Sequence, residues 1–409
     1  MSADAQASEA RELLVKLVRI PSVTGSEEPC AHQLADYFER HGREVYLDEV
    51  GNVHAPGNDD VLLTSHIDTV PGEIPVRVED EDGEDVLWGR GSVDAKGPLA
   101  AMAVAAVRTG ASFVGVVGEE VDSRGSRHVV ETREQAPELV INGEPSGWDG
   151  ITLGYRGILG GTYLATSQSG HTSRPENNAI QDAMDWWQRV ESEFEPDEYA
   201  PVFERVTCKP TSFEGGSSVD GLSVEATMGV QLRVPPEYTV DDVREMADGQ
   251  LDTGTVTWYD RVPPVMESPR TPVARAFRAA VREAGGDPRL LRKTGTADMN
   301  VFSSAWDCPM VTYGPGDSDL DHAPNEHLAL AEYDNVYMKI SALDHFSDDR
   351  PLYESVRPFT RWVVDAFGPE RMLWGKGDPR IVDAHLPEYG EEERELVKGD
   401  NVYELLWKK

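Results

Sequence analysis

The chain has 409 residues, with 38 lysines and arginines against 74 aspartates and glutamates, for a net charge of −36. Hydrophobic residues at 39% and nine tryptophans describe a folded chain with room for two or three domains. The charge argues against nucleic-acid binding, which needs clustered cations on phosphates, and no apolar run approaches the roughly 20 residues of a membrane span.

Lysine accounts for only nine of the 38 cations. So acidic a surface repels itself in dilute buffer, and molar salt screens it within about 3 Å. The composition therefore reads as adaptation to a high-salt interior. Met1 to Ala5 carry neither the basic nor the apolar segment of a secretory signal, and a cytoplasmic location is expected. Three scattered cysteines, Cys30, Cys208 and Cys308, suggest neither a disulfide framework nor a cysteine zinc site.

In chain order, Leu13, Leu14, Leu17 and Val18 form one stripe of a helix over 8–20, which Pro21 ends. A second helix spans 27–41 and stops at Gly42. Short strands follow at 44–47 and 61–64, then a hairpin of 76–78 with 86–88. The run Val61-Leu62-Leu63-Thr64 is a buried strand that ends in Ser65-His66-Ile67-Asp68. Period-two geometry puts His66 and Asp68 on one side, where a histidine could bind metal with an aspartate behind it. Taken alone, His-x-Asp is commonly just a structural hydrogen bond.

The turn Gly89 to Gly97 carries Asp94 and opens a helix over 98–108. The strand 113–117 ends in Gly118-Glu119-Glu120, and the strand 139–141 ends in Asn142-Gly143-Glu144. Three strands thus end in His-x-Asp, Glu-Glu and Glu. In open α/β sheets sites form at these carboxyl ends. From about residue 155 the pattern changes to strand (159–166), a loop holding His171, helix (178–194), strands (205–213 and 223–232), helix (240–251) and strand (254–259). This run reads as an inserted satellite domain. A helix over 271–284 and a strand over 310–313 resume the first pattern, and His322 follows.

His66, Asp94, Glu119, Glu120, Glu144 and His322, in this order, resemble the dizinc aminoacylase, carboxypeptidase and desuccinylase family over residues 8–334. That resemblance implies an α/β zinc-peptidase domain with a mixed, mostly parallel sheet (1–154 and 263–334). It also implies an inserted α+β lid and dimerisation domain (155–262). Two zinc ions, or cobalt, would be held by His66 and Glu144 on one side and by Glu120 and His322 on the other, with Asp94 bridging. Asp68 would orient His66, and Glu119 would be the general base. His171 would reach across a homodimer to the partner's oxyanion. Arg233 would bind a substrate carboxylate, with Asn178 and Thr296 as further substrate contacts.

The stretches 89–101, 143–156, 293–300 and 313–326 look most like the lysine and ornithine biosynthetic branch. Its substrate is an amide between a carrier protein's terminal glutamate side chain and the α-amino group of lysine or ornithine. The amino-group carrier protein is thus the implied partner. An acetylornithine deacetylase, a succinyl-diaminopimelate desuccinylase or a dipeptidase are the related alternatives.

After about residue 334 the character changes again. Five of the nine lysines fall in the last 75 residues. The stretches 335–341, 367–375 and 399–406 resemble the C-terminal end of a TIM-barrel amidohydrolase, with Asp378 as its late-strand aspartate. A barrel needs on the order of 250 residues, so this tail (335–409) reads as a foreign fragment without a second active site. The opposing expectation is a fusion that keeps the ligands but is inactive.

Overall fold

In the computed structural model, residues 3–333 are described apart from 82, 172, 174 and 196–198, together with 338–340, 360, 364, 369, 372–374 and 379–400. The chain divides into two compact units. The first takes in Met1–Ile151, Pro269–Leu290 and Cys308–Lys409, and the second Thr152–Ser268 and Leu291–Asp307.

The first unit is built on a sheet with the strand order Tyr46–Leu47, Val53–Ala55, Ala111–Val116, Asn58–His66, Leu139–Gly143 and Met310–Thr312. The last four run parallel, while Val53–Ala55 pairs antiparallel with Ala111–Val116. The sheet is therefore mixed and mostly parallel. Helices Ala3–Val18, Glu28–Arg40 and Lys96–Thr109 supply its main apolar cover. Leu14, Leu17, Leu34, Phe38 and Leu99 are fully buried, and Phe38 packs on Phe113 of the central sheet at 4.9 Å between ring centres. Burial of each such side chain stabilises the fold by about 1.5–3 kcal/mol. Gly110, at φ 69°, closes the third helix in a left-handed turn that suits glycine.

The second unit has a four-stranded antiparallel sheet, ordered Thr207–Ser217, Ser223–Val234, Gly157–Gln168 and Thr255–Val262. Helices Ala179–Glu193 and Val240–Asp248 pack on it. Trp186 stacks on Tyr163 at 4.8 Å in its core. Strand Gly157–Gln168 is longer than the apolar pattern indicates, because its distal half alternates with exposed positions, and Ser223–Val234 runs two residues past the expected end with Val234 buried.

In the C-terminal stretch, strand Met338–Ile340 pairs parallel with Met372–Trp374. Asn335, Asp378 and 401–406 lie outside the described residues.

Candidate metal centre

Parallel pairing brings three strand ends to one edge. His66 is the last residue of Asn58–His66, Glu119 and Glu120 follow Ala111–Val116, and Glu144 follows Leu139–Gly143. Met310–Thr312, parallel to Leu139–Gly143, leads into the loop that carries His322. Asp94 comes from the tight loop before helix Lys96–Thr109. Gly91 in that loop sits at φ 82°, and a Cβ there would lie 2.7 Å from Thr69 Cγ2.

His66 Nε2 is 3.0 Å from Asp94 Oδ1 and 3.8 Å from Glu144 Oε2. His322 Nε2 is 3.2 Å from Asp94 Oδ2 and 2.9 Å from Glu120 Oε2. The donors thus form two sets that share the two oxygens of Asp94. Zinc takes nitrogen and oxygen donors at about 2.0–2.1 Å in a tetrahedron, which puts neighbouring donors roughly 3.3 Å apart. The observed separations bracket that value. Donor atoms of His66, Asp94 and Glu120 all lie within 4.8 Å of one another. Glu120 Oε1 is buried and has no hydrogen-bond partner among the described residues. An acceptor so placed calls for a cation, and the donor set fits a pair of divalent metals.

The electrostatics agree. Burial works against a charged His66, yet Glu144, Asp68 and Asp94 together raise its pKa well above the ordinary imidazole value. Hydrogen bonds to Asp94 and then Glu120 push His322 up to about 10. Burial opposes ionisation of Asp94, but His322 and His66 hold its carboxyl well below the usual range. The carboxylates demand positive charge, supplied here by protons on histidine.

Asp68 is fully buried and does more than the sequence indicates. His66 Nδ1 lies 2.9 Å from the Asp68 backbone oxygen and 3.5 Å from its carboxylate. The closer hold on the ring is therefore the main chain. The carboxylate accepts the Thr24 hydroxyl at 2.7 Å and the backbone amides of Glu119 and Glu120 at 3.1 and 3.2 Å. It fixes the Glu-Glu turn as well as facing the histidine.

In the second unit, His171 is exposed and its Nδ1 lies 2.8 Å from Ser173 Oγ. Arg233 Nη1 donates to Thr296 Oγ1 at 3.3 Å, so two expected substrate contacts meet. Asn178 instead caps helix Ala179–Glu193. Its side chain accepts from the amides of Ile180 and Gln181, and Gln181 returns a bond to its backbone.

Two residues escaped the sequence reading. Arg156 is 5% exposed and donates to the oxygens of Thr294, Val202, Arg205 and Thr207. Burial first, then Arg233 and Arg205, lower its pKa to about 10. Glu326 is fully buried against the Asp94 loop. Both lie in stretches that carried the family resemblance, and neither has a local pattern that announces a role.

Residues 62–343 match the profile of peptidase family M20/M25/M40. A "[LysW]-lysine hydrolase" from Deinococcus radiodurans is 42% identical over 354 residues, covering 81% of this chain and 95% of its own length. A "Putative [LysW]-lysine/[LysW]-ornithine hydrolase" from Thermococcus kodakarensis is 37% identical over 338 residues, covering 79% and 87%. In structure, an M20 family metallo-carboxypeptidase from Sulfolobus solfataricus aligns with a TM-score of 0.65 at 19% identity, covering 80% of this chain and 96% of that one. The last similarity concerns the fold alone.

Proposed function

We infer the reaction from one premise: the chain belongs to peptidase family M20/M25/M40 and is a metal-dependent amidohydrolase. The proposed substrate is the amide between the terminal glutamate side chain of an amino-group carrier protein and the α-amino group of lysine or ornithine. The names of the Deinococcus and Thermococcus relatives support that substrate. The observation that carries the chemistry is the pair of donor sets sharing Asp94.

In this reading His66 and Glu144 hold one zinc, Glu120 and His322 hold the other, and Asp94 holds both, with cobalt as the alternative metal. Bound there, the metals supply Lewis-acid polarisation of the amide carbonyl and acidify the attacking water. Glu119 takes the water's proton on its carboxylate and returns it to the leaving nitrogen. Asp68, through the Glu119 and Glu120 amides, keeps that base and its neighbouring ligand in register. Arg233 with Thr296 receives a substrate carboxylate, for which a forked cation is suited. Residues 155–262 act as the lid and dimerisation domain. His171 of the partner subunit donates a hydrogen bond to the carbonyl oxygen as negative charge develops.

Among the described residues no helix is long and apolar enough to cross a membrane. A cytoplasmic enzyme working at high salt fits this and the net charge of −36. The test is hydrolysis of carrier-bound γ-glutamyl-lysine and γ-glutamyl-ornithine in multimolar KCl, with Glu119→Ala beside the wild type. The expected result is metal-dependent turnover that falls by about 10²–10⁴-fold in the variant while both metals stay bound. A metal-loaded wild type that leaves both substrates intact would reject the substrate.

A further inference from the structure

Glu326 follows His322 by four residues, and its side chain is 0% exposed. Its Oε1 accepts the backbone amides of Val93 at 2.9 Å and Asp94 at 3.1 Å. Its Oε2 accepts Arg90 Nη1 at 2.8 Å. The Glu326 carbonyl oxygen accepts the Gly89 amide at 3.4 Å. One residue therefore touches the Asp94 loop at Gly89, Arg90, Val93 and Asp94.

The backbone of Glu326 is itself anchored. Strand His327–Ala329 begins at the next residue and pairs antiparallel with Glu84–Trp88, His327 opposite Trp88. Arg90 is held from a second direction, its Nε donating to the Gly72 oxygen at 3.1 Å. On the other side of Glu326, His322 adopts φ 60°, a left-handed conformation unfavourable for a non-glycine residue. The surrounding loop has to hold such a residue in place.

We propose that Glu326 is a positioning residue of the metal centre. It sets the backbone of Asp94, the donor common to both ligand sets, and ties that loop to the one presenting His322. A carboxylate suits this work because one oxygen can accept two amides while the other meets the arginine. Burying a charged pair does little for net stability by itself, so its value here lies in geometry. The proposal rests on the dinuclear reading above.

The test uses the full chain in high salt, stripped of metal and titrated with cobalt(II). It follows visible absorption and bound metal per chain. Hydrogen exchange over residues 89–96 and the thermal midpoint of the metal-free protein are measured alongside. Glu326→Ala is expected to weaken cobalt binding by about 10–100-fold, to alter the absorption envelope and to speed exchange over 89–96. Glu326→Gln keeps an acceptor for the two amides but loses the ion pair, and should fall between. Wild-type affinity and spectrum in a folded Glu326→Ala would overturn the proposal. If Glu326→Ala does not fold, Glu326→Gln decides. Weaker cobalt binding with an unchanged metal-free midpoint supports the proposal, and wild-type binding overturns it. A wild type that takes up no cobalt would overturn the dinuclear reading beneath it as well.

Discussion

Asp94 and His322 meet at 3.2 Å, while the other oxygen of Asp94 lies 3.0 Å from His66. A single short carboxylate is thus common to both donor sets, and each histidine belongs to one. Removing Asp94 and removing His322 should therefore have different consequences. Asp94→Ala is expected to bind fewer than one metal per chain. His322→Ala should keep the site formed by His66, Glu144 and Asp94 and bind about one metal at its tighter affinity. Metal analysis after gel filtration distinguishes them, and equal losses in the two variants would contradict the shared-donor arrangement.

Asp68 tests support of the site independently of the ligands. Its buried carboxylate satisfies the Glu119 and Glu120 amides and the Thr24 hydroxyl. Asp68→Ala strands those donors, and each buried unsatisfied group costs about 1–3 kcal/mol. The expected outcome is a chain destabilised by about 3 kcal/mol or more, with turnover reduced further than metal content. Asp68→Asn keeps an acceptor and should recover most of the stability and part of the turnover. Urea unfolding and steady-state rates on both variants check this.

His66, Glu120 and Glu144 are legible because each closes an apolar strand, and parallel strands bring such closures to one edge, whereas Asp94 and His322 sit in loops that only the resemblance marks. The supporting residues are not legible. Glu326 serves the Val93 amide from 233 positions away, and nothing in a sequence marks a carboxylate that accepts distant backbone donors. Short elements also escaped. Strand Val53–Ala55 has three residues, too few for a period to show. Strand Gly150–Tyr155 is buried at every position and so lacks alternation. Asn178 and Gln181 form a capping box whose spacing is visible in the sequence, and that role stands beside the substrate contact that the resemblance implies.

Asp48 gives a pH signature away from the metals. Its Oδ1 accepts the amides of Val50, Gly51 and Asn52, and its Oδ2 meets Asn52 Nδ2 and His54 Nε2 at 2.8 Å. Burial opposes the charge, but His54 and Asn52 pull the carboxyl down to about 2. An unfolded aspartate titrates near 3.9. The folded pKa is the lower one, so this stabilisation is full above about pH 4 and is lost as pH falls toward about 2. Asp48→Asn should cost about 1–2 kcal/mol at pH 7 and nothing further at the acid end. Urea midpoints across pH 2–7 would show the two curves converging on acidification, and parallel curves would reject the assignment.

The proposed homodimer makes the role of His171 testable by complementation. If His171 serves the partner's centre, a subunit lacking Glu119 still lends its His171, and a subunit lacking His171 still has its own Glu119. Glu119→Ala and His171→Ala should each be nearly inactive alone. Unfolded together and refolded as a mixture, they should form about half mixed dimers, each with one complete centre out of two. Turnover should return to about a quarter of the wild-type value per chain. Refolding each variant separately before mixing should restore nothing until subunits exchange. Should His171 act within its own subunit, the mixed dimer contains no complete centre, and co-refolding recovers no activity.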